Sequence, residues 1–230
     1  MNAVEALRRE VAALPRDWHG AGTVGPAALE ALQRHASTSG PISHSVETGT
    51  GKTTLVLSHL SPDHLVFTQD DTDGGDSLVR VRSSPLLAAA RVRFVIGPTQ
   101  RTLLHHEFEA SLDLALLDGP HAYPFPDLEY WAVYPHIRPG GLLAVDDLQI
   151  RTIANLFAVL KVDAMWELLE VVEDMAFFRR TTAPAVDPFG EGWWTQGYNH
   201  RRARGHLPPA ARAGYLARRA SQRLVGRWAR

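Results

Sequence analysis

Acidic residues stand where several short apolar runs of this sequence stop: Glu47, Asp70-Asp71, Asp118 and Asp146-Asp147. Runs of this length, rich in Val, Leu and Ile, read as buried strands. Each acid would then lie at the carboxyl end of a strand, where open α/β sheets bind their ligands. Such oxygens suit a hard cation (Mg2+, Mn2+ or Ca2+), or they cap helices and bind loop amides. His121 follows Asp118 by three residues. With an ordinary imidazole pKa of ~6.5 it suits a general base toward a hydroxyl, or it hydrogen-bonds its own loop. Tyr123, two residues on, would shape a pocket. His105-His106-Glu107 resembles a ligand cluster, but the pattern predicts a helix over 102–109. Adjacent helical residues point about 100° apart, so these three read as surface.

Glu47-Thr48-Gly49-Thr50-Gly51-Lys52-Thr53-Thr54 lies between an expected strand and an expected helix. Its glycines let the backbone turn and approach a ligand, and the helix behind them offers free N–H groups. Two readings stay open on these residues alone. Gly51-Lys52-Thr53 is the ending of a phosphate-binding loop, but the full pattern needs a glycine where Val46 stands. In that reading Lys52 and Thr53 hold phosphates, and Asp146, ending the apolar run 142–145, binds magnesium. The other reading is a ligand loop of another kind, which the rest of the chain must identify, with a bland structural turn ranking behind both.

The elements that must position these residues alternate. Strands are expected at 43–47, 65–68, 92–96, 112–117 and 142–145. Helices are expected at 53–59, 84–90, 102–109, 127–136 and 152–162, after two earlier ones in 3–14 and from Pro26 to His35. Trp166–Val172 and Met175–Arg180, separated by Glu173-Asp174, read as a hairpin. Alternation implies a Rossmann-like, doubly wound, mostly parallel sheet with helices on both faces and a C-terminal antiparallel hairpin. The organisation expected is a helical segment at 1–40, an α/β domain at 41–182, and an aromatic loop with a basic helix at 183–230.

Several of these motifs occur in one order: Glu47 with Gly49 and Gly51, then Asp70-Asp71, then Asp118-Gly119-Pro120-His121-Ala122-Tyr123, then Arg138-Pro139-Gly140-Gly141 and Asp146-Asp147. Over residues 41–182 this order resembles class I S-adenosylmethionine-dependent methyltransferases. It is closest to the branch of metal-dependent O-methyltransferases and cephalosporin-hydroxylase-like proteins. The resemblance implies methyl transfer to an oxygen of a small-molecule acceptor. Glu47, Gly49, Gly51, Thr53 and Asp70 or Asp71 would hold S-adenosylmethionine. Asp118, Asp146 and Asp147 would bind Mg2+ (or Mn2+ or Ca2+), with Asp118 and His121 as catalytic groups. Asp147 departs from the Asn usual in the catechol-type branch. A P-loop nucleotide hydrolase and a non-catalytic binding protein are the alternatives.

Composition bounds these readings. The chain has 230 residues and no cysteine, which excludes disulfides and thiolate chemistry. No apolar run approaches the roughly 20 residues that cross a bilayer, and Met1–Leu14 does not read as a signal peptide, so a cytoplasmic location is expected. The net charge of −1 hides an asymmetry: nine arginines follow Tyr198 with no acid, leaving 15 bases against 25 acids before them. Leu216, Ala220, Leu224 and Trp228 recur every four residues in that tail, an amphipathic basic helix. It would dock on the acidic body of its own chain or of a second copy in a homodimer. A peripheral contact with an anionic membrane ranks next and nucleic acid last. The aromatics of 189–194 would form a lid or an interface.

Overall fold

The computed structural model describes residues 3–15, 18, 24–70 and 76–200. The chain divides into two compact units, Met1–Glu191 and Gly192–Arg230. In the first, seven strands run β1 (His44–Thr48), β2 (Asp63–Thr68), β3 (Val92–Ile96), β4 (Leu112–Leu117), β5 (Ile137–Val145), β6 (Trp166–Val172) and β7 (Met175–Arg180). They form one sheet in the order β3-β2-β1-β4-β5-β7-β6. The first five are parallel; β7 runs antiparallel between β5 and β6. The order reverses between β1 and β4, so the crevice beyond their carboxyl ends is the place for a ligand.

Both faces of the sheet are covered, so the central strands are buried along nearly their whole length. Leu114 and Leu116 of β4, with Leu142 and Ala144 of β5, pack against Ala28, Ala31 and Leu32 of helix α2 (Pro26–Thr38) and Leu57 of α3 (Lys52–Leu60). Ala115, Leu117, Leu143 and Val145 face the other way. They meet Val133 of α6 (Phe125–Val133) and Ile153, Leu156 and Leu160 of α7 (Arg151–Leu160). Helix α1 (Ala3–Ala13) adds Val11 to Leu29, Leu55 and Val56.

Four expected elements differ. Helix α4 lies at Ser77–Ser83 rather than 84–90, and Pro85 keeps it from running further. Leu78 and Val81 bury its inner face instead. Helix α5 covers only Thr99–Thr102. Downstream, His106 turns edge-on to Phe67 and Phe108, with ring centroids 5.2 and 4.8 Å away, and this packing replaces the helix expected to 109. His105 is exposed and His106 half-buried. Strand β5 starts at Ile137 and not at Leu142: Ile137 pairs with Leu112, and the pairing resumes at Leu142 opposite Leu114. The intervening Arg-Pro-Gly-Gly bulges out. Helix α6 ends at Val133, and a 3-10 turn finishes the segment at Tyr134–His136.

Asp113 holds that bulged corner. Its carboxylate accepts the N–H groups of Ser43 (2.7 Å) and His44 (3.0 Å) and Nε of Arg138 (2.5 Å), so the lower ends of β1, β4 and β5 meet at one side chain. Burial pushes its pKa up, but these donors outweigh burial and leave it below the usual carboxylate value.

Among the described residues, no helix is long and apolar enough to cross a membrane. In the second unit, 3-10 turns at Trp193–Thr195 and Gly197–His200 are described, with the Trp193 and Trp194 rings 6.2 Å apart. The tail helix expected over 208–230 lies outside the described residues, as does Asp71.

Candidate active site

The glycine loop is built from behind. Glu47 is fully buried, and both its oxygens are taken: one accepts the Thr53 hydroxyl, the other lies 3.0 Å from Nε2 of His64. Nδ1 of His64 in turn faces the Ser45 hydroxyl at 2.8 Å. A Ser–His–acid series therefore exists here, but it is closed inside the β1–β2–α3 interface and unreachable by substrate. Glu47 and Thr53, expected as cofactor contacts, are turned inward, where they fix the loop to the start of α3. The N–H of Gly51 donates to the Thr54 hydroxyl at 3.0 Å.

Gly49 (φ 84°) makes the close approach. A Cβ on it would overlap the carbonyl oxygen of Asp118, so the loop after β1 lies directly on the loop after β4. Glycine is required here by that neighbour as well as by the backbone angle.

Lys52 is buried, and its ammonium donates to the carbonyl of Leu14 at 2.8 Å. A phosphate-binding lysine would project into the ligand crevice. This one is directed at the end of the N-terminal helical segment, which removes the central group of the P-loop reading.

At the ends of β4 and β5, ligand atoms of Asp118, His121 and Asp147 lie within 4.8 Å of one another. The expected trio held Asp146 in place of His121. Asp146 is half-buried, with its N–H donating to the carbonyl of Leu117. Asp147 adopts a left-handed backbone (φ 62°), and its carboxylate reaches Nε2 of His121 at 2.8 Å. Asp118 is 3.9 Å from the same nitrogen. Gln149 donates to the other Asp147 oxygen at 2.6 Å. The Thr152 hydroxyl donates to the carbonyl of His121 and ties its loop to α7.

The charges of this cluster are unbalanced. Burial, then the neighbouring Asp147 and Glu47, raise Asp118 to about 6 against the pull of His121. Burial and Asp118 raise Asp146 to about 8. Hydrogen bonding and charge from Asp118 and Asp147 lift His121 to about 10, although burial opposes this. His121 favours a lower pKa at Asp147 more than burial opposes it. Facing both carboxylates, the imidazole holds its proton at neutral pH in this arrangement. Two carboxylates and an imidazole in reach of one point are a fitting donor set for a divalent cation. A positive charge there would relieve the repulsion among the acids.

One functional candidate was invisible in the sequence. Glu129 of α6 is 3% exposed, and its carboxylate accepts the Thr48 hydroxyl at 2.8 Å. Burial raises its pKa to about 7, against the Thr99 and Thr48 hydroxyls. Asp70 is exposed at the end of β2, and Tyr123 is 76% exposed beside His121. Phe189 packs edge-on to Trp131 of α6 (5.8 Å), whose Nε1 donates to the carbonyl of Pro188. A cavity of about 260 Å³ lined by His44, Asp63, Arg93 and His106 lies at the opposite, amino ends of the strands.

Residues 46–148, from the end of β1 through the acids after β5, match the family described as a methyltransferase domain. That stretch is 103 of the 230 residues. No curated protein matches it. Among solved structures, a Staphylococcus aureus protein assigned as a caffeoyl-CoA O-methyltransferase superposes with a TM-score of 0.57 at 14% identity, covering 78% of this chain and 93% of that one. A Bacillus cereus O-methyltransferase in complex with SAH gives 0.54 at 16%, covering 77% and 90%. The MycE methyltransferase of the mycinamycin pathway, in complex with Mg and SAH, gives 0.50 at 15%, covering 81% and 57%. At these identities the likeness establishes the fold. The methyltransferase match and the direction of Lys52 together displace the nucleotide-hydrolase alternative.

Proposed function

We propose that this chain moves the methyl group of S-adenosylmethionine to a hydroxyl oxygen of a small molecule, with a divalent cation held by Asp118, His121 and Asp147. The observation that carries the reading is the convergence of those three side chains beside Gly49, where a Cβ would overlap the Asp118 carbonyl. Cofactor loop and acidic cluster thus share one crevice at the switch point of the sheet. Two similar structures hold SAH, and one of them also holds Mg.

In this reading Gly49 and Gly51 admit the cofactor, and the buried Glu47 and Thr53 keep their loop in shape. Asp70, with Asp71 beside it in sequence, accepts the ribose hydroxyls. A bound cation would lower the pKa of the acceptor oxygen. Asp118 and Asp147 hold the charge that fixes it there. Nε2 of His121, the nitrogen that faces both carboxylates, would give up its proton to join them as a ligand, so in this reading it holds the cation and is not the base. In-line methyl transfer needs little more than alignment, which can supply about 7–11 kcal/mol. Exposed Tyr123 borders the acceptor side.

Titration with Mn2+ tests the site. The intact chain should bind one ion, and Asp118→Asn and Asp147→Asn should each weaken binding by about 10–100-fold while leaving the circular-dichroism spectrum of the folded chain unchanged. Unchanged affinity in both variants would remove the metal from the reading and leave the cofactor argument standing.

A further inference from the structure

Thr48, the last residue of β1, is fully buried and uses one hydroxyl twice. It donates to Glu129 at 2.8 Å and accepts the backbone N–H of Asp118 at 3.1 Å. Glu129 also touches the next residue of the same loop, since a Cβ on Gly119 would overlap its carboxylate. On the other side, Gly49 lies against the Asp118 carbonyl. The Asp118 peptide is therefore held at its N–H by Thr48, at its carbonyl by Gly49, and at its successor by Glu129.

Glu129 forms no ion pair among the described residues, and a buried acid without one is costly, so an apolar residue at this position of α6 would pack more favourably. The second Glu129 oxygen is buried outside hydrogen-bonding geometry, with the Thr99 hydroxyl the other group that favours its charge. Core stability does not account for the residue; its contacts with the Asp118 loop do.

We propose that Glu129 is a positioning residue, which acts through the Thr48 hydroxyl to fix the backbone of Asp118 and so aims that carboxylate into the cluster with His121 and Asp147. The inference rests on the proposed metal site for its consequence, but the clamp itself is read independently of it. Small displacements of a ligand group are enough to degrade such a site.

The test compares Thr48→Val, which keeps the shape and removes both hydrogen bonds, with Thr48→Ser, which keeps both. Glu129→Leu and Glu129→Gln form the matching pair. Amide hydrogen exchange at Asp118 reads the clamp, Mn2+ titration reads the aim of the carboxylate, and SAH binding reads the cofactor loop. Thr48→Val and Glu129→Leu should speed exchange at Asp118 and weaken Mn2+ binding, each by about tenfold, the worth of one hydrogen bond. Thr48→Ser and Glu129→Gln should restore both readings, with SAH affinity following neither. Should Glu129→Leu not fold, the Thr48 pair decides. Equal exchange in Thr48→Val and Thr48→Ser would overturn the proposal, as would faster exchange with Mn2+ affinity intact. If the unaltered chain binds no Mn2+, the metal reading fails, and exchange at Asp118 still shows whether the clamp exists.

Discussion

His121 shows how environment decides the role of a residue type. An imidazole three residues from an aspartate suggests a base, but one between two carboxylates is an acid until their charge is drawn off. The pair Asp118 and Asp147 could be found in the sequence because acids at strand ends are few. Glu129 could not, because a charged residue on an amphipathic helix is ordinarily placed on the solvent face. Its burial has a measurable consequence. A carboxyl raised from 4.5 to about 7 on folding contributes stability that is full below pH 4.5 and is lost as pH rises through about 7. The loss is on the order of 3 kcal/mol. Asp118 and Asp146 act with the same sign, so the metal-free protein should be distinctly less stable to urea at pH 8 than at pH 5. In Glu129→Gln that difference should shrink; an equal drop in the variant would show that Glu129 is not the buried acid described.

Among the elements, those whose pattern had a single physical cause were legible. Strand β4 reads as six apolar or paired residues because both faces are covered, and β6 and β7 meet at Glu173-Asp174 as the hairpin signal implied. Where tertiary packing overrides local pattern, the reading failed. Leu103, Leu104 and Phe108 have helical spacing, yet His106 is drawn against Phe67 and Phe108 and no helix forms. Pro139 and Gly140 look like breakers, but a bulge lets β5 absorb them. Asp113 makes that possible, so Asp113→Ala should cost about 3 kcal/mol in urea unfolding at pH 7, since it strands two backbone donors and Arg138. Its folded pKa is depressed, so the stabilisation is present above the ordinary carboxylate pKa near 3.8 and lost as pH falls through the lower folded value. Equal stability of variant and parent at pH 7 would contradict the corner described here.

At the scale of the whole molecule, strand–helix alternation was enough to give the sheet and its crevice, while the Arg-rich tail gave chemistry without a partner. Nine arginines follow Tyr198 without an acid, against a balance of −10 before them. Docking of this segment on the acidic body, in one chain or between two, predicts that truncation after Tyr198 lowers the melting temperature or dissociates a dimer. An unaltered melting temperature with loss of salt-sensitive binding to anionic vesicles would assign the tail to a membrane surface instead. The account as a whole turns on which adenosine cofactor enters the crevice beside Gly49. Calorimetric titration of the intact chain with S-adenosylmethionine and with ATP, each in the presence of Mn2+, decides this directly. The account predicts one S-adenosylmethionine bound per chain, more tightly than ATP; binding of ATP without binding of S-adenosylmethionine would contradict it.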